Sequence, residues 1–390
     1  MFLAGKQARR TKSSSPLGQL FDHGVDCVAN LSHVSLLQCI VQFNIYHFML
    51  LQVTLQFGFY QAQWEEYYTG LLPHSAMNCI GTTEVLYTIA IWSILTGLGV
   101  YDTSIYDQTV SSFFVSATTR SPSYFSLMQS LVAQTTQDVI PYMPFSSYIL
   151  FGFNNDNDDS NDSSTSSSLV DLQVRHVIIC IWVYGFVGLS ILSFLRVVKS
   201  IKSIKVFLSA ISKLISPFLL VATSVYLTSP SSSSTTMTTV LPPGGIRYPS
   251  LCVGLVFCII TIKLIVFGMA KMAYGSVQLD VVPLLLVTVL YKIYAQDDGL
   301  TGNNSSAVMN SSHHANTGGG VGGGGSLSSS FAHTKDEFFQ LLFPFTAVAY
   351  LARMIWWTRI AMRQLCQRLN IRPFTINNNN HNTRPHTKAN

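Results

Sequence analysis

Long apolar runs divided by short polar ones set the pattern of this chain. Between Asp26 and Glu65 there is no Asp, Glu, Lys or Arg. A bilayer crossing takes about 20 mostly apolar residues, so this stretch is long enough for a hairpin of two helices, at 24–42 and 44–63. Further runs at 84–100, 176–195, 206–227, 250–270, 279–295 and 338–358 have span length and end at charges, Pro or Gly, or Ser-rich sequence. The pattern predicts an all-α polytopic membrane protein with about eight transmembrane helices.

Polar inserts divide these runs. Residues 101–175 contain the acidic stretch NNDNDDSNDSSTSSS, 228–249 are rich in Ser, Thr and Pro, and 296–336 contain GGGVGGGGS. Such compositions cannot bury a core and are expected to be largely disordered. The expected organisation is three spans in 1–100, a polar luminal insert over 101–175, four spans in 176–295 and a luminal loop over 296–336. The last span and a basic segment follow in 337–374, then a disordered tail over 375–390.

Composition agrees with a lipid environment. Of the 390 residues 48% are hydrophobic and 11% charged, against about 25% charged in soluble domains. The net charge of +5 is not spread as a nucleic-acid footprint, because Lys and Arg cluster beside the apolar runs. Lys6, Arg9, Arg10 and Lys12 form one cluster, then Arg196, Lys199, Lys202 and Lys205, then Lys271, then Arg359, Arg363, Arg368 and Arg372. An eight-span count puts all of them on one side, the cytosolic side by the positive-inside rule. The sequons at Asn161, Asn303, Asn304 and Asn310 then fall in luminal loops, whereas the one at Asn30 lies inside a span and should be unusable. The seven Cys form no CxxC pair and read as inert core thiols. The first fifteen residues hold no apolar core of signal-peptide length, so targeting is expected from the spans.

The candidate chemistry lies in GKQARRTKSSSPLGQLFDHGVD at 5–26. Steps of four put Gly18, Asp22 and Asp26 on one face of a helix, about 6 Å apart per step. An arbitrary Asp pair at this spacing is more often a solvated helix end. Here two carboxylates at the mouth of a membrane bundle repel each other unless a cation lies between them, and hard oxygen donors suit Mg²⁺. Gly18 permits close approach of a backbone or phosphate, and Arg9 offers a fixed fork for phosphate oxygens. Elsewhere, Asp280 and Lys263 either face a polar cavity or snorkel to the headgroups. The amphipathic run RVVKSIKSIKVFLSAISK either lies along anionic lipid or links two spans.

At this spacing Gly5, Ala8, Arg9, Gly18, Asp22 and Asp26 resemble the signature of the CDP-alcohol phosphatidyltransferase family. The run QARRTKSSSPLGQLFDHGVD is similar to its eukaryotic choline/ethanolaminephosphotransferase branch. The similarity continues through WEEYYTG from Trp64 and Thr83-Glu84, and returns in RQLCQRLNIRPF from Arg363. The resemblance implies a CDP-alcohol phosphotransferase-like helical bundle in the endoplasmic reticulum or Golgi membrane, with its active site facing the cytosol. It implies transfer of phosphocholine or phosphoethanolamine from CDP-choline or CDP-ethanolamine to diacylglycerol, with release of CMP. Two Mg²⁺ or Mn²⁺ ions would be held by four Asp, Asp22 and Asp26 among them, with Gly5, Ala8, Arg9 and Gly18 lining the nucleotide site. His23 would be the general base, although a lone His beside an Asp is more often a packing residue. Glu84 would orient it, or simply cap a helix. The later helices would form a lipid-facing cavity and offer a homodimer surface.

The family pattern also holds an Asp immediately before Gly5 and another three residues earlier, where this chain has Ala4 and Met1. It implies about two spans upstream as well, so the sequence is expected to be a piece lacking half of the ligand set, and inactive as written. A catalytically inactive paralogue binding lipid or a partner is the alternative. A transporter would show internal repeats or broken helices with midplane charges, and neither stands out.

Overall fold

The computed structural model describes residues 16–72, 75–76, 80–100, 103–108, 173–228, 247–293 and 326–369, with the backbone alone at 16, 75–76, 80–86, 103, 326–340 and 369. Its helices are α1 (Pro16–Val41), α2 (Ile45–Thr69), α3 (Thr82–Gly97), α4 (Val174–Ser200), α5 (Ile204–Ser212), α6 (Ile215–Thr228), α7 (Arg247–Met269), α8 (282–293) and α9 (Ser326–Leu369). A two-residue antiparallel pair, Ser75–Ala76 with Ile80–Gly81, precedes α3. Each of the eight expected runs overlaps helix, the one at 206–227 being divided between α5 and α6. Among the described residues five helical stretches are long and apolar enough to cross a membrane: α1, α4, α5 with α6, α7 and the second part of α9. Helix α9 begins at Ser326, inside the segment read from sequence as a polar loop.

Helices α2 and α7 form the centre. Around α2 pack α1, α4, α6 and α7, while α9 and α1 cover other sides of α7. The α7 residues Val253, Val256, Phe257, Cys258 and Ile260 are fully enclosed. At Gly254 the helices come so close that a Cβ would lie 2.1 Å from Leu31 Cδ2 and 2.9 Å from Gln52 Nε2. Only a residue without a side chain permits that contact between α7, α1 and α2. Asn30, the sequon inside the first span, is buried.

Helix α2 is central despite its polar residues, because several of them bond to backbone or side-chain groups of neighbouring helices. Gln61 Nε2 donates to Ser190 O at 2.8 Å, Gln52 Nε2 to Ser250 O at 2.5 Å, and Trp182 Nε1 to Thr54 Oγ1 at 2.9 Å. In lipid, such bonds and close packing take the place of a hydrophobic driving force between helices. Gly70 ends α2 in the left-handed region (φ 70°), its N–H donating to Glu66 O at 2.8 Å.

Pro217 explains the break between α5 and α6. It has no N–H for the carbonyl of Lys213, four residues earlier. Tyr60 OH donates to that carbonyl instead, at 2.9 Å. Leu214 N bonds the tighter Ile211 O, and Trp64 Nε1 donates to Ala210 O at 3.0 Å. Two side chains of α2 thus satisfy the carbonyls at the break.

Candidate active site

The motif helix and the first expected span are one helix, α1, which opens on Pro16, where a missing N–H costs nothing. At about 100° per residue, Gly18, Asp22 and Asp26 share an arc of roughly 80°, with Leu17, Leu20, Gly24 and Cys27 on the opposite side. Leu17, Leu20 and Cys27 are buried, and Gly24 sits 3.9 Å, measured from its would-be Cβ, from Ile262 of α7. Gly18 is exposed, and Asp22 and Asp26 are half-buried. One side of α1 therefore seats it on the bundle and leaves both carboxylates on the other.

His23 lies between these two sides and is half-buried. Its Nδ1 is enclosed and has no hydrogen-bond partner among the described residues. Glu84 falls in the first turn of α3, a helix that packs on α1, and its side chain lies outside the described residues. Gly5, Ala8 and Arg9 also lie outside the described residues, as do Asn161, Asn303, Asn304 and Asn310.

The stretches carrying the sequence resemblance meet here. Gln19 Nε2 donates to Glu66 Oε1 at 2.8 Å, tying the first turn of α1 to the WEEYYTG segment. Next to it, Glu65 forms a two-pronged ion pair with Arg196, whose Nη2 reaches Oε2 at 2.8 Å. Leu20 forms a cluster with Ile262 and Ile265, onto which Met354, Trp357, Met362 and Leu365 of α9 pack. Leu365 belongs to RQLCQRL. Positions 20, 66 and 365 thus converge at one end of the bundle. The described parts of the basic clusters share that end: Arg196 and Lys199 close α4, Lys271 follows α7, and Arg359, Arg363 and Arg368 extend α9. Tyr67 OH also donates to Met272 O there, at 2.9 Å.

Asp280 and Lys263 pair with each other, an arrangement that neither of the two readings open from sequence described. The Asp280 side chain is 2% exposed and holds Lys263 of α7 through Oδ2 and Arg353 of α9 through Oδ1, the latter at 2.6 Å. Tyr350 OH donates to its backbone carbonyl at 2.9 Å. Lys263 Nζ stands 5.8 Å from the Trp357 ring centroid, which links this charge knot to the cluster behind α1. The sequence pointed to Arg196 only as an orientation signal and to Glu65 and Glu66 only as part of WEEYYTG, and to no role for Gln19 or Arg353. The available signal was charge and amide at the ends of otherwise charge-free runs.

Asp22 and Asp26 supply oxygen donors at a spacing and exposure that fit a hard divalent cation. Among the described residues no three His, Cys, Asp or Glu side chains come together to hold one. Two carboxylates alone would not complete the coordination shell of such a cation.

An α-helical membrane bundle with a pair of Asp on a helix face at its basic end is the class these observations define. The comparisons agree with the motif. The chain is 36% identical over 117 residues to an uncharacterised CDP-alcohol phosphatidyltransferase class-I family protein 2 of Dictyostelium discoideum, covering 29% of this chain and 28% of that one. It is 36% identical over 105 residues to cholinephosphotransferase 1 of Gallus gallus, covering 26% and 31% of the two chains. With choline/ethanolaminephosphotransferase 1 of Arabidopsis thaliana it shares 38% identity over 94 residues, covering 24% and 23%. The chain thus spans less than a third of the length of these curated relatives. No family model matches it.

Proposed function

We propose that this protein transfers phosphocholine or phosphoethanolamine from a CDP ester to diacylglycerol, yielding a phosphatidyl lipid and CMP. The observation that carries this reading is the convergence of Leu20 with Leu365, and of Gln19 with Glu66, on the part of α1 that carries Asp22, with Leu20 on the side away from the Asp pair. Three separated stretches of resemblance fold into one place, as a shared site requires. The names of the relatives support the same chemistry.

In this reading Asp22 and Asp26 hold part of a site for two Mg²⁺ or Mn²⁺ ions, which would offset charge on the pyrophosphate. Gly18 lets the nucleotide approach α1 closely, and Gly5, Ala8 and Arg9 line the rest of its site, Arg9 meeting phosphate oxygens. His23 takes the proton as the diacylglycerol hydroxyl oxygen attacks the β-phosphorus. The bond from that phosphorus to the bridging oxygen breaks, and CMP leaves with that oxygen. The enclosed Nδ1 of His23 is suited to a carboxylate such as Glu84, which would fix the ring and leave Nε2 as the base. The positive-inside rule applied to the basic clusters supports a cytosolic side for this end of the bundle, and in this reading the membrane is that of the endoplasmic reticulum or Golgi.

The test is transfer from CDP-choline and CDP-ethanolamine in microsomes of cells lacking their own enzymes, using the protein extended upstream to an Asp-x-x-Asp-Gly junction. Asp22→Asn and Asp26→Asn should each lower turnover by about 10³-fold or more, with thermal stability unchanged because neither side chain packs in the core. Near-normal turnover in either variant would remove the metal assignment. Retained cytidine nucleotide binding without any turnover in the parent would instead mark an inactive paralogue.

A further inference from the structure

The segment between α4 and α6 lies at the motif end of the bundle and presents two apolar stripes. Phe207, Ala210 and Leu214 turn inward: Ala210 is buried, and the Phe207 ring lies 6.3 Å from that of Phe194. Ile204, Leu208 and Ile211, with Ile215 of α6, recur at steps of four, three and four and turn outward. Ile204 is 68% and Leu208 60% exposed. An apolar stripe at the end of a membrane bundle belongs at the boundary between acyl chains and headgroups.

Lys199, Lys202 and Lys205 are exposed beside this stripe. No Asp or Glu occurs between Asp171 and Asp280, and the nearby Glu65 is taken by Arg196. Among the described residues no ion pair involves the three lysines. No described acidic side chain neutralises them. An apolar stripe edged by unneutralised lysines matches a lipid leaflet carrying phosphate or carboxylate headgroups, since it offers both acyl and anionic contact.

We propose that α5 with Lys199, Lys202 and Lys205 is a docking surface for anionic phospholipid in the leaflet at the motif end. The surface adjoins the helix that carries Glu65, since Trp64 Nε1 donates to Ala210 O of α5. The proposal rests on membrane embedding and not on the transferase reading, so its test measures no turnover.

The experiment is amide hydrogen exchange over 204–212 in the whole chain, held in nanodiscs of phosphatidylcholine with or without phosphatidylserine. Phosphatidylserine is expected to slow exchange about tenfold, and about 0.5 M salt to remove most of that difference. In a variant carrying Lys199→Gln, Lys202→Gln and Lys205→Gln the two lipids should differ by less than about twofold, while exchange in α7 stays as in the parent and reports an intact fold. Inorganic phosphate added to phosphatidylcholine discs should give no protection. Equal exchange in the two lipids, protection by free phosphate alone, or an undiminished lipid response in the variant would each overturn the proposal.

Discussion

Helices α2 and α4 pack against each other, yet they are built on opposite terms. Helix α4 is apolar enough to count among the membrane-crossing stretches, and six of its 27 residues are buried. Helix α2 does not reach that apolarity, and fourteen of its 25 residues are buried, His47, Gln52, Gln56, Gln61, Gln63 and Glu65 among them. In water the more polar helix would be the outer one. In lipid the order inverts, because apolar side chains are as well solvated by acyl chains as by protein, whereas amides and charges need protein partners. Polar residues inside a long uncharged run are therefore compatible with a central place, but the equally central α7 is the most apolar of the crossing stretches, so polarity alone does not mark the centre.

The sharpest test of this contrast is Trp64→Ala. The side chain is 1% exposed, fills the space below α5 and donates to Ala210 O. Its loss should cost about 3–5 kcal/mol, read as a large fall in the melting temperature of the detergent-solubilised protein. A fall no larger than that of a surface variant would mean that α2 is not the centre.

Tyr60→Phe isolates the hydrogen bond from the packing, since it keeps the ring and removes only the donor to the carbonyl that Pro217 leaves open. A cost of about 1 kcal/mol is expected, and Pro217→Ala in the same background should return part of it by supplying the missing N–H. No recovery in that double variant would break the account of the α5–α6 junction. Smallest should be Leu195→Ala on the outer side of α4, where the residue is 55% exposed. Its effect is expected within about 0.5 kcal/mol. A drop matching that of Trp64→Ala would show that another chain, and not lipid, covers this side.

Much of this was legible beforehand in particular residues. The charge-free stretch from Asp26 to Glu65 marked two helices, and the structure has α1 and α2 there. The four-residue steps of Gly18, Asp22 and Asp26 fixed their common side, and the buried Leu17, Leu20 and Cys27 lie opposite them. Asp280 and Lys263 stood out as charges in apolar runs, but Arg353 as the third member did not, being 73 residues from Asp280 in the chain. The break before Pro217 was hidden for the same kind of reason. Its signal is a proline, but its stability depends on Tyr60 and Trp64 in a distant helix.

Sequence by itself determined most of the apolar helical stretches and that Asp22 and Asp26 share a helix face, because each depends on neighbours within a few residues. Which helix lies inside, which carbonyls α2 satisfies, and that positions 20, 66 and 365 meet behind the Asp pair were decided by tertiary structure alone. Hydropathy records how a segment partitions into lipid and is silent on what it packs against. Contacts between residues hundreds of positions apart arise only when close packing and satisfied polar groups select one arrangement of helices that lipid would otherwise accept in many.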